Sequence, residues 1–504
     1  MTLRLQSSRP MVSMSKQLGL NFAAFQICFC LIGFCGSIAG QGIEARIAVN
    51  DLSQTVSVQG AFLSDAEGVR NLSFADSSLG TPGLGLRVSK MVLHDRDGNA
   101  LSFRRFTAGE FASEREIRGF QYEVDLKQLE NARSDAHVSW SGGNRTLIFT
   151  DDILPRALGR RSPYARLELS LGGGTRIFTS ANRISETVFE LVDRRTGLFW
   201  LDRSGSTGSL ESKGRNVNAA LSGEWHFSEK ELISMADAIF ERYAAGFGGA
   251  PAARARVLML RSGRPGLPVG TWEARTVGNT VLIVSTDMPF RIQSLQRLHE
   301  QLRHELFHIW IPNGVRLVGN YDWFFEGFAL YHSLKIGVEM NRLTFNDMLD
   351  TLSRAYKINK DSGRLSLQEL SAERWRGNET LLYARGMLIA FHTDVLLMER
   401  SGGKVSVETL LKRLFSEYRD LSVPSDAPSA VKKLLSDQTS LADLVRENVD
   451  GNGPFSQASI LELSGLEVSI NNGHESLRVR TSLNGRQRAM LDRLGYNNWR
   501  KFRK

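Results

Sequence analysis

The sequence predicts a multidomain α+β protein in which an N-terminal antiparallel β domain precedes a mainly helical domain. Three observations carry that expectation. The chain has 504 residues, which at roughly 150 residues per domain corresponds to about three domains. From residue 42 to about residue 223, β-branched and aromatic residues alternate with polar ones between short Gly and Asp clusters, the period of half-buried strands. After Trp225 the apolar residues recur at helical spacing. Composition agrees: 42% hydrophobic and 23% charged residues exclude a disordered chain and a polytopic membrane protein. The net charge of +9 is scattered along most of the chain, which favours solubility and argues against a dedicated nucleic-acid groove.

Residues 1–39 read as a signal peptide. Arg4, Arg9 and Lys16 precede an apolar run over 22–34, which ends in small residues with a cleavage signal after Ala39. The expected location is therefore periplasmic or secreted; an uncleaved anchor over 18–39 is the alternative. Cys28, Cys30 and Cys35 are the only cysteines, so the exported part has neither a disulfide nor a thiolate ligand. Phe34 is too bulky to precede a lipidated Cys35.

The β-rich domain is expected over 40–224. Strand patterns stand at 45–50, 86–93, 120–126 and 165–171, and Asp95 to Asn99 reads as a hairpin turn, since a calcium loop would need Glu where Phe106 stands. The second domain is expected over 225–450. It opens with a helix over 228–243, where Ser228 and Glu231 form a capping box. Strands follow at 255–260 and 280–285, then helices from Pro289 to about Val449. Residues 451–504 form a short basic segment; from Ser469 onward it carries nine Lys or Arg against two acidic residues. That segment reads as a solvated end or as a weak contact with a membrane surface or a partner.

The chemistry centres on His304-Glu305-Leu306-Phe307-His308. Leu298, Leu302, Leu306 and Ile309 place this HExxH sequence on a helix over 291–311 that Pro312 and Gly314 stop. Histidines four apart share one helical face, so both can reach one metal ion, with Glu305 beside it to take a proton from water. Glu326 follows in Asp322-Trp-Phe-Phe-Glu-Gly, on a helix that Asp322 could cap and Gly337 could end. A carboxylate there supplies the third protein ligand of a His2Glu zinc site; the alternative is a buried Glu paired with Arg. His299 should point away from the metal, exposed or paired with Glu300, and His332 and His392 should be core histidines.

HELFH followed by WFFEGFALY resembles the gluzincin zinc metallopeptidases, which include thermolysin and the alanyl-type aminopeptidases, and most of all the glycyl aminopeptidase family. The resemblance implies a thermolysin-like catalytic domain and one zinc ion, Zn2+, held by His304, His308 and Glu326. It also implies that Gly270-Thr-Trp-Glu273-Ala matches the strand whose Gly and Glu bind substrate, Glu273 holding its free amino group. Tyr383, in Leu382-Tyr-Ala-Arg-Gly386, inherits the role of stabilising the tetrahedral intermediate. Two departures stand out. Seventeen residues separate His308 from Glu326, one fewer than in the alanyl-type enzymes, and the tail is too short for the family's PDZ-like domain. The expected function is zinc-dependent hydrolysis of peptides or proteins by an aminopeptidase. The alternatives are a thermolysin-type endopeptidase and a peptide-binding protein that keeps the fold without turnover. Nothing in the sequence sets an oligomeric state.

Overall fold

The structure, a computed structural model, describes residues 42–502 apart from 64–67, 132, 159–162, 205–209, 361–364, 453–456 and 472–473. The expected signal segment lies outside the described residues.

Alternating side chains build the first half. Ile43, Ala45 and Ile47 turn inward while Glu44 and Arg46 face solvent, as a strand with one wet face requires. This strand, Gly42–Asn50, sits inside an eight-stranded sheet between Tyr164–Ser170 and Thr55–Phe62. Its pairing with Tyr164–Ser170 is parallel, with Ile47 opposite Leu169; its pairing with Thr55–Phe62 and the pairs beyond are antiparallel. Asp95 to Asn99 is the hairpin turn that the sequence predicts: Asp95 Oδ1 accepts from the backbone of Asp97 and Asn99.

The second half begins earlier than the expected boundary at 224. Val217–Ser222 pairs parallel with Ala255–Arg261 and belongs to a five-stranded sheet. Its order is Ser212–Lys213, Val217–Ser222, Ala255–Arg261, Thr280–Ser285, Trp272–Val277. A change of apolar period marks where helices start, but sheet membership is a tertiary pairing that the period does not carry. The first helix, Glu229–Phe247, has the Ser228–Glu231 capping box. Four later helices matter for the site: the motif helix Arg291–Phe307, the ligand helix Asp322–Glu339, the helix Phe345–Lys360 and the tyrosine helix Glu379–Arg400.

The ligand and tyrosine helices touch backbone to backbone. A Cβ on Gly327 would stand 2.2 Å from the carbonyl carbon of Gly386, and one on Gly386 2.3 Å from the carbonyl oxygen of Trp323. Only glycine allows that approach. The two halves of the chain share an apolar seam, where Leu147, Phe149, Phe178 and Trp200 meet Leu258, Leu260, Leu282 and Val284. Each such side chain contributes roughly 1.5–3 kcal/mol on burial, so the seam joins the halves firmly.

The basic tail is not a solvated end. Met490, Leu491 and Leu494 of the helix Gly485–Leu494 enter the core of the second half, while Arg486, Arg488 and Arg493 of the same helix stay exposed. The hairpin Leu466–Asn471 and His474–Val479 docks on the helix Phe345–Lys360, where Leu477 N donates to Ser353 Oγ at 2.8 Å. A charge count misses this because an amphipathic helix hides its apolar stripe among its charges.

Candidate metal centre

The motif helix buries Leu298, Leu302 and Leu306 and turns His304 and His308 the other way. It ends sooner than expected, at Phe307, but His308 at its C-cap keeps helical dihedrals, φ −66° and ψ −13°. The two imidazoles therefore still converge, edge to face, with Nε2 atoms 3.3 Å apart. His308 Nδ1 lies 3.1 Å from the Ile311 carbonyl, which makes Nδ1 the donor and leaves the Nε2 lone pair free for a cation.

The ligand helix delivers the third donor. Glu326 Oε2 lies 3.3 Å from His304 Nε2 and 3.5 Å from His308 Nε2, yet this buried oxygen has no hydrogen-bond partner. An unsatisfied carboxylate oxygen facing two imidazole nitrogens is costly without a cation between them. The spacing fits one: donors bonded tetrahedrally at about 2.0–2.1 Å stand about 3.3–3.4 Å apart. Oε1 of the same carboxylate accepts from Arg374 at 3.0 Å. Glu326 is thus both a convergent donor and an Arg-paired buried Glu, so the two readings of the sequence coexist on its two oxygens.

Glu305 also brings a carboxylate oxygen within 4.8 Å of both imidazoles. Its Oε1 is farther from His304 Nε2, at 3.9 Å, and its Oε2 accepts from Thr276 Oγ1 at 2.9 Å. Glu326 is thus the carboxylate nearer to both imidazoles, and Glu305 is tethered beside them by Thr276.

Arg374 is the residue of this cluster that the sequence did not reveal. It lies in a short 3-10 turn, Arg374–Arg376, with no motif around it. Its guanidinium reaches Glu326, the Tyr383 hydroxyl, Glu379 and Asp322. The signal available was the buried Glu326, whose second oxygen required a donor. Asp322, expected to cap the ligand helix, is instead its first helical residue and gives its carboxylate to Arg374. Gly337, expected to end that helix, lies inside it. Tyr383 stands one turn into the tyrosine helix, accepts from Arg374 and donates to Glu379 at 3.1 Å. Burial, and then the charge of Glu326, raise its pKa well above the ordinary tyrosine value, so at neutral pH it is a donor.

Glu273 lies on the sheet's edge strand and lines the cavity of about 820 Å³ that holds His304, Glu305, His308, Glu326, Arg374 and Tyr383. Its carboxylate has no hydrogen bond or ion pair among the described residues, and burial raises its pKa against the charge of Arg133. Gly270 stands in the turn before the strand, at φ +73°, and does not line the cavity; its role is conformational. The strand is less open to a pairing peptide than its edge position implies, because Ala274 O accepts from His137 Nε2 at 2.8 Å and Thr276 O from Asn313 Nδ2 at 3.2 Å.

His299 is not exposed and does not pair with Glu300. It is buried against Arg303 at hydrogen-bond distance through Nδ1, because the motif helix is covered on that side by the ligand helix. His332 and His392 are core histidines, bonded to Glu408 and to the Tyr356 hydroxyl.

The architecture is shared with known proteins. An aminopeptidase N family protein from Idiomarina loihiensis superimposes with a TM-score of 0.71 at 14% identity, over 88% of this chain and 82% of its own. Its fold is the fold of this chain. A variant of the M1 zinc metallopeptidase from Deinococcus radiodurans, bound to a Tyr-Ser-Ala substrate, matches at 0.51 and 14% identity, over 80% of this chain and 92% of its own. No protein-family model and no curated protein matches the sequence. The β-rich first part and the mainly helical second part therefore share the two-part architecture of these proteins at 14% identity.

Proposed function

We propose that this protein is an exported zinc peptidase, with His304, His308 and Glu326 as the zinc ligands and Glu305 as general base. The observation that supports it best is the convergence of three lone-pair atoms at 3.3–3.5 Å beside a tethered carboxylate. Zinc would supply Lewis acidity to the scissile carbonyl and to the attacking water. Glu305, held at Oε2 by Thr276, takes the water's proton and returns it to the leaving amine. Tyr383, kept protonated, donates to the oxyanion as the tetrahedral intermediate forms. Arg374 fixes both Tyr383 and the outer oxygen of Glu326.

Glu273 supports an aminopeptidase, because an unpaired carboxylate in the cavity suits a substrate ammonium group. An endopeptidase is the second reading. Arg133, 2.6 Å from Glu379, reaches the cavity from the first half and already places a cation whose charge acts on Glu273. Cleavage of peptides by the exported form, abolished by chelator and restored by zinc, tests the peptidase assignment. Glu305→Gln should keep the metal and lose at least about a hundredfold in rate; full activity in that variant would remove Glu305 as the base. Comparing free with N-acetylated peptides separates the two specificities, since acetylation disables an aminopeptidase alone.

A further inference from the structure

The cavity extends away from Glu273, between the motif helix, the ligand helix and the helix Phe345–Lys360, where Arg303, Ser333, Leu334, Leu343 and Asp350 line it. Arg303 is the unexplained group there. Only 2% of it is exposed, and its guanidinium is always charged. Two hydrogen bonds hold it, from Nε to Ser333 Oγ at 3.3 Å and from Nη1 to His299 Nδ1. Neither acceptor carries charge, because burial and the nearby arginines push His299 down to about 3. Among the described residues no carboxylate lies within ion-pair distance of Arg303, and its Nη2 has no partner. The acids around it are committed elsewhere or stand apart: Glu300 pairs with Arg297 at 2.9 Å, Asp347 accepts from Thr344 N and Oγ1 at 2.8 Å, and Asp350, on the same stretch of the cavity, makes no ion pair with the guanidinium. Arg342 adds positive potential. The position is built for a guanidinium, since a Cβ on Gly337 would lie 2.9 Å from Arg303 Cζ. A buried cation on the cavity, with a free donor and no carboxylate within ion-pair distance, is an incomplete pair.

We propose that Arg303 anchors a carboxylate of the bound peptide, on the side of the scissile bond away from Glu273. This rests on the peptidase reading above. The reach follows from the ligand helix. Ser333, which holds Arg303 Nε, lies seven residues past Glu326, about 10 Å at 1.5 Å per residue, and an extended peptide spans about 3.3 Å per residue. A carboxylate about three residues beyond the cleaved bond therefore meets the guanidinium. It is either the C-terminus of a short peptide or an acidic side chain at that place, and in both cases a charge-assisted contact.

The test uses the zinc-loaded Glu305→Gln protein, so that peptides bind without being cut, with affinities measured by calorimetry. The probes are tetra-alanine as the free acid, its C-terminal amide, and the amide with Glu in the last position. The acid or the Glu-bearing amide should bind about tenfold more tightly than the neutral amide; whichever gains identifies the source of the carboxylate. Adding Arg303→Met should remove the gain. Should that variant fail to fold, lengthening the free acid by three residues in the Glu305→Gln protein decides, because it carries the carboxylate about 10 Å past the anchor and must abolish the advantage. All probes binding alike or not at all, or an advantage independent of length, overturns the proposal. These are binding constants, so a lack of peptide turnover in the unmodified protein would defeat the peptidase reading and leave this result standing.

Discussion

Replacing Arg374 by Met removes one charged hub and leaves its shape nearly intact. In the structure Arg374 donates to Glu326 Oε1 at 3.0 Å, to Glu379 at 3.2 Å, to Asp322 at 3.0 Å and to the Tyr383 hydroxyl. Its side chain is 7% exposed and that of Glu326 9%, so solvent does not replace the lost donors. Breaking a buried ion pair from one side costs about 3–5 kcal/mol, and losing the donor that orients a metal-binding carboxylate weakens the metal by about 10–100-fold. The expected variant melts at lower temperature and binds zinc 10–100-fold more weakly in competition with a chromogenic chelator. Arg374→Lys keeps the charge but not the fork, so it should restore much of the zinc affinity and little of the rate, because Tyr383 loses the guanidinium and is held by Glu379 alone. Zinc affinity in Arg374→Met within about threefold of the unmodified protein would refute the claim that the outer oxygen of Glu326 needs this donor.

Three further outcomes follow from named contacts. Gly386→Ala forces a methyl group onto the Trp323 carbonyl at 2.3 Å, so calorimetry should record a loss of about 1–3 kcal/mol or more, together with weaker zinc binding as Glu326 shifts. Gly485→Ala, in open space at the start of a helix, should be neutral or slightly stabilising, and equal losses in both would argue against the helix contact. Acid should destabilise the fold from below pH 6.5, well before carboxylates titrate. Burial lowers His137 to about 4, and His299 and His392 to about 3, so below pH 6.5 the unfolded chain binds protons that the folded one refuses. Stability then falls by about 1.4 kcal/mol per pH unit for each histidine, about 4 kcal/mol for three, between roughly pH 5.5 and 4.5. Urea midpoints across that window check it, and a flat profile down to pH 4.5 would contradict the neutral buried state. Glu273→Gln should lower kcat/KM for free peptides and narrow the preference for free over N-acetylated ones if the carboxylate binds an ammonium group; an unchanged preference would assign Glu273 to the backbone.

Local pattern carried much of this protein. The spacing of His304 and His308, the capping box at Ser228, the turn at Asp95 and the alternation of the early strands each depend on neighbours within a few residues, and sequence order sets those neighbours directly. The approach of Glu326 to the two imidazoles was legible as well, because a helix-loop-helix distance separates it from His308. Four features required the folded chain. Val217–Ser222 belongs to the second sheet because of partners about forty residues away. The basic tail docks through an apolar stripe concealed among arginines. Arg374 reaches Glu326 across 48 positions, and the ligand and tyrosine helices approach closely because Gly327 and Gly386 coincide in space. Short-range periodicity reports which face of an element is apolar. It does not report which distant face covers it, and buried charge is paired by that covering.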